Sequence, residues 1–263
     1  MSNKSTFDMY RKISSESSGP PGICIVSHNV FWFQGVPFAT DAPPLHRSEI
    51  VTQLSSLYRE INPDIICLQE LQSRDAAAAV AKELGMKYIF RSGGSYPQYG
   101  GAVLSRWPME EIALPQDVVP DRILIPVKIF PDDGQAFQLA NIHLPSNRQR
   151  GAEGSQAQRL RELSFVMDHA DILLGDFNER PDGQCAALLK KEGFVDTAEV
   201  CGAGELSSNI GTYRGDQIWL SEKKADALQG YFVIPKERLA INDGEKKFLS
   251  DHLPVGCLLN KGY

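Results

Sequence analysis

The chain has 263 residues, is 42% hydrophobic and 23% charged, and carries a net charge of −6 at neutral pH. That balance is ordinary for a globular protein with ample core, and no apolar run approaches the roughly 20 residues needed to cross a bilayer. The acidic balance, with no long basic run, argues against affinity resting on a broad phosphate-binding surface; a nuclease stays open, because a metal brings its own positive charge.

Five cysteines, none closely spaced, give neither a disulfide framework nor a zinc site. The first residues lack the apolar centre of a secretory signal, so a cytoplasmic protein is expected. Residues 1–21 are Ser-rich and end in Gly-Pro-Pro, which reads as a flexible tail ahead of one domain over 22–263.

Along the chain, "ICIVSHNV" is a buried strand that ends at His28 and Asn29. Ile50, Leu54, Leu57 and Ile61 recur at helical spacing, and Asn62-Pro63 stops that helix. "DIICLQE" is the next buried strand, ending at Glu70. "SRDAAAAVAKEL" is a helix with Ser73 as N-cap and Gly85 as its stop. "MKYIF", "GAVLS", "ILIPVKIF" and "AFQLANIHL" read as strands, the last reaching His143. A polar helix over about 154–168 precedes the strand "ADILLGDFN". "CAALLKKEG" is a short helix, followed by a loop-rich stretch and the strands "DQIWLS", "LQGYFVI" and "LPVGCLL". No internal repeat is visible. The mixture of strand–helix–strand units and consecutive strands predicts two sheets with helices outside.

Polar residues collect at the strand ends: Asn29, Glu70, His143, Asp176 with Asn178, and Asp216, with Asp251 and His252 just ahead of the last strand. Strand ends and their loops are where function gathers. In extended chain Asp176 and Asn178, two apart, point the same way. That pair suits a turn as well as a site that orients water or a phosphate oxygen. Glu70 emerges at the edge of the core, where a carboxylate must be neutralised, paired or bound to a cation. Magnesium fits such a site, since it takes carboxylates, waters and substrate phosphate. Asp251 and His252 are neighbours that face opposite ways, so a more distant carboxylate must orient His252, and Asp216 is the candidate.

The ordered segments "SHNV", "DIICLQE", "GGAVLSRWP", "NIHLPS", "LLGDFNERP", "DQIWLS" and "FLSDHLPV" resemble the endonuclease/exonuclease/phosphatase superfamily over about residues 22–259. The resemblance implies a DNase I-like α/β fold, a four-layer sandwich of two mainly antiparallel sheets flanked by helices, and divalent-metal-dependent phosphoester hydrolysis. It implies Glu70 as principal ligand of Mg²⁺ or Mn²⁺, with Asn29 and Asp251 beside the metal. Asp176 matches the residue that orients or deprotonates the attacking water, and Asn178 a phosphate contact. His143 matches a contact to the phosphate oxygens, and Asp216 with His252 the paired carboxylate and imidazole.

Two departures narrow the reading. Apurinic-site endonucleases of the superfamily carry a second acid where this chain has Phe31, and a Tyr where it has His143. The Trp-Cys-Asp-Arg block of the inositol polyphosphate phosphatases is absent. The expected protein is a monomeric phosphodiesterase or nuclease acting on single-stranded nucleic acid or nucleotides. An inositol-phosphate-type or other small-molecule phosphatase is the alternative, and a dead binding protein on the same fold the alternative of another class. Substrate choice is expected in the loops 91–101, 145–156 and 201–215, through Arg91, Tyr96, Tyr99, Arg148, Arg150, Tyr213 and Arg214. His28, His46 and His169 read as structural, Trp219 as core first, and Asn141 as a support for His143 or a strand-edge partner.

Overall fold

A computed structural model of the chain describes residues 22–40, 42–132, 134–241 and 244–260. The tail expected over 1–21 lies outside them. In chain order the first half runs β1 (Gly22–Asn29), α1 (Ser48–Ile61), β2 (Ile65–Leu71), α2 (Arg74–Leu84), β3 (Lys87–Arg91), β4 (Gly100–Ser105), β5 (Met109–Glu111) and β6 (Ile123–Ile129). The second half runs β7 (Phe137–His143), α3 (Asn147–Val166), β8 (Ile172–Asp176), α4 (Gln184–Lys191), β9 (Phe194–Asp196), α5 (Thr197–Val200), β10 (Asp216–Ser221), β11 (Leu228–Val233) and β12 (Val255–Asn260). Ser73 caps α2 by accepting from Ala76 N, and Gly85 ends it in the left-handed region. The polar helix begins earlier than its sequence pattern, at Asn147, with a first turn that Gly151 (φ 69°) sets off from the rest.

The strands form two six-stranded sheets, ordered β11-β12-β1-β2-β4-β3 and β5-β6-β7-β8-β10-β9. In each, one central parallel pair is flanked by antiparallel pairs: β1 with β2, and β7 with β8. Read edge to edge, the two sheets repeat one pattern of strand senses, with α1 crossing over in the first and α3 in the second. The repeat leaves only a local trace in the sequence: Asp64-Ile65 and Asp171-Ile172 open the equivalent strands β2 and β8, and each Asp accepts from the neighbouring strand, from Cys24 N at 2.8 Å and from Gln138 N at 2.9 Å.

Period-two alternation explains the layers. In β8, Ile172 and Leu174 join the large core between the sheets, whereas Leu173 faces a second core with Leu163, Val166, Cys185 and Leu189 from α3 and α4. In β10, Ile218 and Leu220 face inward while Trp219 faces those helices. Helices α1 and α2 cover the outside of the first sheet through Leu54, Tyr58, Ile61 and Val80. Burying that apolar area stabilises the sandwich at about 25 cal/mol per Å². No described helix is long and apolar enough to cross a membrane.

Polar groups also cross the core. Asn141 accepts from Gln69 Nε2 at 2.7 Å and donates to the carbonyls of Leu68 and Ala102, both at 3.0 Å. Asn141 therefore ties the sheets together, and its link to His143 is a shared strand face.

Candidate active site

The same alternation that sends Leu139, Leu174 and Ile218 inward sends His143, Asp176 and Asp216 to one end of the inter-sheet space. These are the ends of β7 and β8 and the start of β10, which pair so that Asp176 lies opposite both His143 and Asp216. Asn29 and Glu70 arrive from β1 and β2 across the sandwich, and Asp251 with His252 from the segment before β12. Glu70, Asp176, Asn178, Asp251 and His252 line a common cleft of about 420 Å³.

Strain accompanies this convergence. Glu70 has φ 55°, at a bulge where the pairing of β2 with β4 skips from Gln69 to Leu71. The strand therefore runs one residue past Glu70, and the bulge re-aims its side chain toward the cleft. Asn178 also has a positive φ, 50°, because β8 stops at Asp176 and the chain turns. The turn reading of Asp176 holds for one of its oxygens, while the other faces Asn29. Asp176 Oδ1 accepts Asn178 N at 2.9 Å to close the turn, and Oδ2 accepts from Asn29 Nδ2 at 3.2 Å. Asn178 Nδ2 donates to Leu144 O at 2.9 Å, so its place at the cleft comes from the turn and not from strand alternation.

His252 Nδ1 lies 2.7 Å from Asp216 Oδ2, which also accepts from Ser208 Oγ at 2.7 Å. Burial alone would lower the His252 pKa, but Asp216, Asp176 and Asp251 outweigh it and hold it well above the usual histidine value. Nε2 of His252 stands 3.9 Å from Asp176 Oδ2, beyond hydrogen-bond reach, on the cleft side. Burial also raises Asp176, yet the His252 and Arg122 charges pull the other way, and its carboxyl lies well below the ordinary carboxylate range. The site thus holds an ionised Asp176 beside an imidazolium.

His143 takes the opposite state. Burial, then Arg122, lowers its pKa to about 4. Its Nε2 contacts Arg122 Nη1 and stands 3.3 Å from Asp176 Oδ2. A guanidinium only donates, so Nε2 is the acceptor and the ring is neutral. His28 is neutral too, held near pKa 3 by burial, and bridges Tyr58 Oη at 2.6 Å and the backbone carbonyl of His252 at 3.1 Å. It braces the site from behind.

Arg122 is the residue that sequence reasoning missed. It is buried, 3.7 Å from Glu70 Oε1 and 3.2 Å from Ser146 Oγ, with its guanidinium 4.1 Å from the Tyr99 ring centre. Locally it is only the polar residue ahead of "ILIPVKIF", and its partners come from β2, β7 and the loop after β7. The one available signal was Asp-Arg entering an apolar strand. Asp121 beside it forms a two-armed pair with Arg150, 2.7 Å on each arm. Arg150 is thereby committed to positioning, as Arg91 is to Glu111 and Arg214 to buried Asp196. Of the loop residues expected to choose substrate, Tyr99 and Arg148 line the cleft; none from 201–215 does.

The residues present fit a hard divalent cation. Burial, against the pull of Arg122 and with Asp251 adding to it, raises Glu70 to about 7, and Asp251 Oδ1 is buried with no hydrogen-bond partner among the described residues. Such carboxylates favour a dication with oxygen ligands. Asn29 Oδ1 already accepts Phe31 N at 3.1 Å, so Asn29 stands chiefly as the partner of Asp176. Asp176, Asp216 and His252 offer ligand atoms within 4.8 Å of one another. Asp216 and His252 bond to each other, however, which commits that pair to one another, with Asp176 outside their hydrogen bond.

The profile of the Endonuclease/Exonuclease/phosphatase family matches residues 26–252. No curated protein matches the chain in sequence. Among solved structures, an AP endonuclease from Archaeoglobus fulgidus is 20% identical with TM-score 0.67, over 90% of this chain and 99% of that one. A 3′ phosphatase, NExo, from Neisseria bound to a product DNA hairpin is 20% identical with TM-score 0.65, over 90% and 99%. An endonuclease/exonuclease/phosphatase from Beutenbergia cavernae is 18% identical with TM-score 0.65, over 92% and 72%. At these identities the likeness establishes the fold.

Proposed function

The chain belongs to the endonuclease/exonuclease/phosphatase family, and on that premise we propose that it is a divalent-metal-dependent phosphodiesterase or nuclease acting on single-stranded nucleic acid or small nucleotide esters. The observation that carries this reading is the meeting of Glu70, ionised Asp176 and the Asp216–His252 pair on one cleft.

Phosphodiester hydrolysis needs charge neutralisation, an oriented water and in-line geometry. Glu70 and Asp251 would hold Mg²⁺ or Mn²⁺, which when bound supplies positive charge to a phosphoryl oxygen. Asp176, fixed by Asn29 and by its own turn, stays ionised and orients the attacking water by accepting its hydrogen bond. His252 keeps its proton because Asp216 faces Nδ1, so Nε2–H can donate to a phosphate oxygen as charge builds there. Arg122, held over Tyr99 and against neutral His143, presents a fixed guanidinium beside Glu70. The cleft volume accommodates a nucleotide-sized group.

The test is hydrolysis of single-stranded DNA, RNA, duplex DNA, an inositol phosphate and bis-p-nitrophenyl phosphate with Mg²⁺, Mn²⁺ and EDTA. Metal-dependent cleavage of single strands or of the small diester is expected. Turnover of the inositol phosphate alone would replace this reading with a phosphatase, and EDTA-insensitive cleavage would remove the metal.

A further inference from the structure

Phe31 stands two residues after Asn29, where a second acid would have faced the metal-ligand cluster. The chain there takes three consecutive left-handed residues, Phe31 (φ 47°), Trp32 (φ 52°) and Phe33 (φ 52°). The turn is pinned from several sides: Phe31 N donates to Asn29 Oδ1 at 3.1 Å, Trp32 Nε1 to Gln98 O at 2.7 Å, and Gln72 Nε2 to Trp32 O at 2.7 Å. Trp32 and Phe33 are buried, whereas Phe31 stays half-buried on the cleft wall. Phe38, also half-buried on that wall, packs against it edge-to-face with ring centres 5.9 Å apart. Two aromatic rings at right angles thus border the same cleft as Asp176 and His252. Arg148, exposed on the cleft rim, makes no ion pair among the described residues.

We propose that Phe31 and Phe38 form a stacking subsite for the nucleobase next to the scissile phosphate, with Arg148 facing the neighbouring phosphate of the strand. The inference rests on the phosphoesterase reading of this cleft and names its substrate class. An apolar wall continuous with the catalytic groups holds the uncharged part of the substrate, and planar ring faces select a planar group. Every base has a π-face, so such a wall grips a strand without reading its sequence. The free guanidinium at the rim matches the anionic backbone on either side of that base. A sugar alcohol or an aliphatic headgroup has no planar face to set against these rings, beside which Trp32 (5.6 Å from Phe31) and Lys246 Nζ (5.5 Å from the Phe38 ring centre) already pack.

The experiment compares pentathymidylate with the same strand carrying tetrahydrofuran abasic residues. Binding is read by fluorescence anisotropy on phosphorothioate versions of both strands, and kcat/KM on the ordinary ones. The variants are Phe31→Leu with Phe38→Leu, which keep apolar bulk but remove the rings, and Phe31→Tyr, which keeps a ring; circular dichroism checks folding. Stacking of one base predicts that wild type prefers the base-bearing strand about 10-fold or more. The double Leu variant is expected to bring that preference to within about 3-fold of unity, and the Tyr variant to keep it. Base-dependent binding without turnover would uphold the subsite while removing the hydrolase reading. Equal binding of the two strands by wild type, binding of neither, or an unchanged preference in the double Leu variant would overturn the subsite.

Discussion

Asp216 and His252 are separated by 35 intervening residues, yet their pairing was legible because neighbours in extended chain face opposite ways and His252 needed a carboxylate from elsewhere. Arg122 was not legible, since nothing local marks a residue whose role is set by Glu70, His143, Tyr99 and Ser146 together. Phe31 was noticed only as a missing acid, because a left-handed run of three bulky residues has no sequence signature; each such residue costs roughly 1–2 kcal/mol. The dyad yields a signed prediction. Asp216 raises the His252 pKa against burial, so Asp216→Asn lets burial prevail and the imidazole loses its proton near neutrality. kcat/KM at pH 7.5 should fall about 100-fold, and the falling limb of the pH–rate profile should move to lower pH. A uniform loss with no shift in the profile would mean that Asp216 serves structure alone.

At the scale of elements, long periodic segments were readable and short ones were not. The strands β5 and β9 span three residues each, too few to show alternation, and take their form from pairing with β6 and β10. Strand β8 was legible, but the reason for Gly175 was not. It sits at φ 141°, and a Cβ there would lie 1.8 Å from Ile142 O of the adjacent strand. Gly175 therefore lets β8 approach β7 just before Asp176. Gly175→Ala should lower stability by about 3 kcal/mol in urea unfolding, and activity should drop even at temperatures where the variant stays folded. Helix α3 carries a second signed prediction. Burial raises Glu162 to about 7, against hydrogen bonds from Asp121 N at 2.7 Å and Gln158 Nε2 at 2.9 Å. An acid whose folded pKa exceeds its unfolded value stabilises below the unfolded pKa, and that contribution is lost as pH rises through the folded one. Wild-type stability should thus decline between pH 5 and 8 on account of this group, and Glu162→Gln should reduce the decline by about 2 kcal/mol, read as a urea midpoint at each pH. The same slope in both proteins would remove Glu162 from the account.

For the whole molecule, two sheets of one strand pattern set their central parallel pairs so that both present polar ends at a single cleft. The layers were legible from alternation and helical periodicity, and the convergence of strand ends from the polar residues that close them. The repeated topology was not, because equivalent strands share direction and neighbours but little residue pattern beyond the Asp64-Ile65 and Asp171-Ile172 that open β2 and β8. The site's electrostatics follow from the same arrangement: carboxylates from both sheets meet in a buried space where Arg122 is the cation beside Glu70. That excess of buried negative potential is what a divalent ion would relieve, and it makes Glu70 the position on which the account turns. The decisive measurement is Mg²⁺-dependent hydrolysis of single-stranded DNA by wild type and by Glu70→Gln, with folding checked by circular dichroism. The folded variant is expected to lose at least about 1,000-fold in kcat/KM and to need far more Mg²⁺ for what remains. A folded Glu70→Gln protein that cleaves at the wild-type rate, with the wild-type metal requirement, would contradict that expectation.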